Sequence, residues 1–110
     1  MNKYAKVALQ AAKYVGFGIT PEAAWEKASC EIFSPGSSSQ KKGCPKCAFL
    51  GLYGGSTLNG KYAQNGLAYL KEHSMEHVTP TELWRAVTDN KKAYNSQMHV
   101  VIALFDAGMI

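Results

Sequence analysis

Lys3-Tyr4-Ala5, leading to Thr20-Pro21-Glu22-Ala23-Ala24-Trp25, and Lys61-Tyr62-Ala63, leading to Thr79-Pro80-Thr81-Glu82-Leu83-Trp84, are the stretches that decide how this chain folds. Lys61 follows Lys3 by 58 positions and Thr79 follows Thr20 by 59, so the two stretches are almost in register. The match extends past the tryptophans, where Gly51-Leu52-Tyr53 pairs with Ala103-Leu104-Phe105 once the second loop is shorter. A fixed internal period marks a repeated structural unit. We therefore expect two tandem pseudo-symmetric units, over 1–55 and 60–110, forming one compact domain.

Each unit reads as three helices. Tyr4, Val7, Ala8, Ala11 and Val15 recur at three- and four-residue steps, which puts them on one face of a helix from about Lys3 to Val15. Gly16 and Gly18 stop it. Thr20 before Pro21 starts the next helix, because the hydroxyl caps free amides and proline occupies a position where no amide bond is lost. That helix carries Trp25, Ala28 and Ile32 inward. A third helix is expected with Cys44 as its cap and Pro45 as its first residue, ending at Gly54-Gly55.

The second unit repeats the plan with helices from Tyr62 to about His73 and from Thr79 to about Thr88, the latter opened by the capping-box pair Thr79 and Glu82. A last helix begins at Asn95 or Ser96, and Gly108-Met109-Ile110 folds the C-terminus back on it. No run of alternating β-branched residues competes with this pattern. The expected class is all-α, about six helices, with Trp25 and Trp84 as equivalent core anchors.

The 110 residues, 46% of them hydrophobic, suffice for one buried core. Only Ser34-Pro35-Gly36-Ser37-Ser38-Ser39 looks loose. No apolar run approaches a membrane span, and we expect a cytoplasmic protein without a membrane partner. Three cysteines disfavour a closed disulfide framework. A net charge of +4 permits a polyanionic partner without the charge density of a ribosomal protein or histone.

Four motifs carry candidate chemistry. Cys44-Pro45-Lys46-Cys47 resembles a dithiol at a helix start but lacks the βαβ setting of such redox sites. A zinc site needs four ligands, for which Cys30, Cys44, Cys47 and His99 are the candidates, and no second Cys-x-x-Cys is present. His73-Ser74-Met75-Glu76-His77 has the order of an inverted zinc-peptidase motif, placed where a helix should be ending. Gly55 to Lys61 approaches a phosphate-binding loop, but Tyr62 stands where a Ser or Thr must hold magnesium, so these glycines are expected to link the units. No catalytic residue, metal site or cofactor is assigned. Were the chain an enzyme, Cys44 assisted by His99 would be its centre.

Both units place a lysine pair before their last helix, Lys41-Lys42 in the first and Lys91-Lys92 in the second. A helix start offers free amides and the positive end of its dipole, so each pair sits beside an anion-friendly terminus. Lys46 adds charge. Ser39 and Gln40, matched by Asn95, Ser96 and Gln97, add neutral donors, and Tyr94 is positioned to pack on a base or sugar. The first functional expectation is thus a small helical module that binds nucleic acid or another polyanion. The alternatives are a protein-protein adaptor or inhibitor of mobile-element origin, and a Cys44-centred thiol or metal site.

Ser39-Gln40-Lys41-Lys42-Gly43-Cys44-Pro45-Lys46, Ala48-Phe49-Leu50-Gly51-Leu52 and Asn95-Ser96-Gln97-Met98 with its apolar helix resemble a family of small bacterial proteins carried as a domain of unknown function. The resemblance covers most of the chain and brings no activity with it. It directs attention to Cys44 and to the Ser-Gln and Asn-Ser-Gln helix starts, and it leaves Cys47 outside the pattern.

Overall fold

The computed structural model describes residues 1–89 and 91–110, which form six α-helices and, among the described residues, no strand. They are α1 (Lys3–Gly16), α2 (Pro21–Ile32), α3 (Gly43–Leu52), α4 (Leu58–Glu72), α5 (Pro80–Thr88) and α6 (Gln97–Asp106). The all-α reading holds. Thr20 and Thr79 cap α2 and α5 alike, their hydroxyls accepting from the amides of Ala23 and Glu82 at 3.3 Å and 3.2 Å.

Two boundaries differ from expectation. Helix α4 begins at Leu58, not Tyr62, because the Thr57 hydroxyl accepts from the Gly60 amide at 3.0 Å and starts the helix one turn early. The expected linker therefore contains the first turn of α4. Helix α3 begins at Gly43 with Lys42 in the cap position, so Cys44 lies inside the first turn rather than at the cap. Proline is tolerated at Pro45 because the first turn has no intrahelical partner for its amides. At the other end, Gly108 adopts φ 70° and the Met109 amide donates to the Leu104 carbonyl at 2.9 Å, which folds the C-terminus back as expected.

The core divides between two hairpins, α1 with α2 and α4 with α5, and a central pair, α3 and α6. Trp25 is buried with Val7, Ala8, Ala11 and Phe49 in one cluster, and Trp84 with Ala63, Leu70, Leu83 and Met98 in the other. The central helices serve both clusters. Helix α3 sends Phe49 to the first and Ala48 to the second, while α6 sends Val100 and Leu104 to the first and Met98 and Val101 to the second. A helix packed on two sides must be apolar nearly all round, which is why Cys47 to Leu52 and Val100 to Phe105 read as almost continuous apolar runs.

Where α3 crosses α4 the backbones touch. A Cβ added to Gly51 would lie 2.2 Å from the Gly60 Cα, so only glycine fits there.

Candidate anion-binding face

The Ser-rich segment before α3 is not loose. The buried Gln40 side chain holds it, its Nε2 donating to Ser29 Oγ on α2 at 3.0 Å and its Oε1 accepting from the Gly36 amide at 3.1 Å. A buried amide satisfied on both sides fixes the loop that presents Lys41 and Lys42. Gln40 itself is 5% exposed and so serves the fold instead of facing solvent.

The loop is also tied to the start of α1. Tyr4 donates its hydroxyl to the Ser39 carbonyl at 2.9 Å. The Tyr4 ring packs against Phe33 with 4.9 Å between centroids. Lys42 Nζ stands 5.8 Å from the Tyr4 centroid and Lys3 Nζ 5.7 Å from that of Phe33, both within cation-π range. Two lysines are thereby held against a small aromatic platform. Exposed Lys41 and Gly43 adjoin it, and no side chain caps α3.

Lys3, Tyr4 and Phe33 are not among the binding residues that sequence spacing singles out. Only tertiary packing assembles them, since Tyr4 and Ser39 are 35 positions apart. The signal in the sequence, a basic-aromatic dipeptide at a helix start, is too common to stand out.

The other candidates divide. Lys46 Nζ pairs with Glu22 Oε1 at 3.0 Å, so its charge is partly answered. Lys91 and Lys92 are exposed, and the Lys92 carbonyl accepts from Trp84 Nε1 at 2.9 Å. The start of α6 is closed by Tyr94, whose hydroxyl accepts from the His99 amide at 2.9 Å and is hydrogen-bonded to His99 Nδ1. Tyr94 also packs against Trp84, 5.5 Å between centroids, so its ring is engaged within the fold. Gln97 is buried, accepting from the Asn95 amide and donating to Asn59 Oδ1 at 3.1 Å. Ser96 adopts φ 66° and accepts from Asn2 Nδ2 at 3.4 Å. Of the two lysine-bearing helix starts, the one at α3 is open and the one at α6 is occupied by its own loop.

Burial pushes Tyr94 up to about 12 and His99 down, so a neutral phenol faces a neutral imidazole at neutral pH.

Cys30, Cys44 and Cys47 are free and half-buried. Partial burial, and then the Glu26 carboxylate whose Oε1 lies 3.8 Å from Cys30 Sγ, push the Cys30 thiol up, away from a reactive thiolate. Among the described residues no three His, Cys, Asp or Glu side chains gather as metal ligands. Among them, too, no helix is long and apolar enough to cross a membrane.

Fold and face define a small all-helical protein with a basic, aromatic-backed loop at the start of a central helix. The model of DUF6979, a family of unknown function, matches residues 1–55 and 51–110, and the chain belongs to that family. No curated protein and no solved structure matches it.

Proposed function

We propose that the protein is a binding module for a polyanion, with nucleic acid as the best-fitting class, engaged through Lys3, Lys41 and Lys42 beside the start of α3. The carrying observation is the placement of Lys3 and Lys42 over the Phe33 and Tyr4 rings next to an uncapped helix. Ordered lysines lose less freedom on binding than free ones, and aromatic rings beside a basic groove provide surfaces for unstacked bases. First-turn amides and the helix dipole favour a phosphate at the same point. Lys91 and Lys92 supply a secondary basic patch.

Fluorescence anisotropy of labelled mixed-sequence RNA and DNA, at low and near-physiological salt, tests this reading. Binding should weaken with salt, and Lys3→Ala with Lys41→Ala and Lys42→Ala should flatten the logarithmic salt dependence by roughly 0.7–0.9 for each phosphate no longer neutralised. Absence of binding at low salt overturns the reading. A Lys91→Ala and Lys92→Ala variant that loses as much affinity would move the site to the start of α6.

The adaptor reading has an observation of its own. Phe17, 84% exposed, and Met75, 97% exposed, occupy the turns after α1 and α4, 58 positions apart. Equivalent exposed apolar tips suit docking by a duplicated unit. We infer a duplication from the matched Thr caps, the two tryptophan clusters and the family matches that each cover one half. Sedimentation analysis of the protein and of a Phe17→Ser, Met75→Ser variant tests self-docking, which requires association that the variant loses.

A further inference from the structure

A surface away from the lysines has a different chemistry. Two adjoining cavities, each of about 190 Å³, run along the outer side of α6 and share Pro80, Ile102 and Asp106. One is walled mainly by apolar groups, including Ala5, Ile102 and Ala103, and the other by a mixed set that includes His73, Glu76, His77, Phe105 and Asp106. Neither wall contains a lysine or arginine, although the chain carries 12; the nitrogen-bearing groups that line them are Met1, Asn2 and His99 at the apolar cavity and His73 and His77 at the other.

The small residues explain why there is space. Helix α3 closes on α4 through Gly51 and Gly60. The positions that match them in the other half are Ala103 and Asn2. A side chain at each prevents the same backbone approach, and both residues line the apolar cavity between α1 and α6.

Two carboxylates, Glu76 and Asp106, line the neighbouring cavity together with the polar side chains of His73, Ser74, His77 and Thr79. His73 Nδ1 donates to the Tyr69 carbonyl at 2.9 Å, which fixes the ring at the cavity wall. The carboxylates of Glu76 and Asp106 accept only. The Thr79 hydroxyl accepts from the Glu82 amide and keeps its own proton to donate. A ligand matching the two carboxylates supplies hydrogen-bond donors and positive charge, beside an apolar group small enough for the first cavity. A single ring is of comparable size, since an enclosed apolar space of about 150 Å³ accepts benzene and this cavity of about 190 Å³ is open to solvent.

We propose that these cavities bind a small primary amine bearing a ring-sized apolar group, with the ring against Ala5, Ile102 and Ala103 and the ammonium at Asp106 and the acceptors beside it. The site is independent of the polyanion face. Its charge selects a cation where that face selects an anion.

The test is amide NMR titration of the full chain at neutral pH with 2-phenylethylamine, beside the neutral 2-phenylethanol and the anionic 3-phenylpropionate at matched concentrations. The amine should shift the amides of Ile102, Ala103 and Asp106 saturably in the millimolar range, and the other two probes should bind at least severalfold more weakly. Asp106→Asn should cost roughly tenfold in amine affinity, the scale of one charge-assisted hydrogen bond, and leave 2-phenylethanol unaffected. Ala103→Leu, which fills the apolar cavity, should abolish the response with the helical circular dichroism retained. Equal binding of amine and alcohol, shifts confined to another surface, an unaltered Asp106→Asn affinity or no saturable response at millimolar probe would each overturn the proposal.

Discussion

Gly51 and Gly60 meet backbone to backbone, with a Cβ on Gly51 landing 2.2 Å from the Gly60 Cα. Backbone cannot rotate aside as a side chain can. Gly51→Ala must therefore pry α3 from α4, at a cost of about 3 kcal/mol. Thermal unfolding followed by circular dichroism should show a Tm lowered by more than about 10 °C. Gly16→Ala is the control, since nothing lies within 4 Å of a Cβ there and its φ is not positive. It should be neutral or stabilise by up to about 1 kcal/mol. Equal behaviour of the two variants would refute the close approach.

Gln97 bridges two parts of the second half from a site 1% exposed. Its loss strands the Asn95 amide and Asn59 Oδ1, each now served by one of its side-chain atoms. Gln97→Ala should cost about 1–3 kcal/mol in urea unfolding. An unchanged midpoint would show that water replaces the amide.

His99 makes stability depend on pH. Burial lowers its pKa in the folded state below the ordinary 6.5, so the unfolded chain binds more protons between the two values. Its contribution is fully present above about 6.5 and is lost as the pH falls through the lower folded value. Tyr94 works in the opposite sense, being pushed up to about 12 from 10.0. Its contribution is present below 10 and is lost as the pH rises through about 12. Urea midpoints measured from mildly acidic to neutral pH should fall toward acid, and His99→Gln should flatten that fall. A slope identical in the variant assigns the effect to another group.

Glu22 restrains Lys46 at 3.0 Å, and the pair is exposed enough to matter little for stability. Glu22→Gln should change the unfolding free energy by less than about 1 kcal/mol. It removes a negative charge and frees Lys46, so polyanion affinity should rise, with the logarithmic salt slope steeper by up to about 0.9. Unchanged affinity would place Lys46 outside the bound surface.

The amino-acid sequence by itself determined the helices, because their signals are local. Thr20-Pro21 and Thr79-Pro80 start α2 and α5 where expected, since a cap and the amide it serves lie three residues apart. The Tyr4 to Val15 period and the Gly108 turn are equally short-range. Thr57 is a local cap as well, but the glycines around it read as a linker and mask it. Lysine spacing identifies Lys41 and Lys42 but cannot distinguish the open start of α3 from that of α6, which Tyr94 closes. Tertiary structure alone decided that Gln40 and Gln97 lie inside, that Gly51 meets Gly60, and that Lys3 and Lys42 converge on Tyr4 and Phe33. The physical reason is separation along the chain: a capping bond closes within one turn, whereas burial and charge placement depend on which distant surfaces the packed helices bring together.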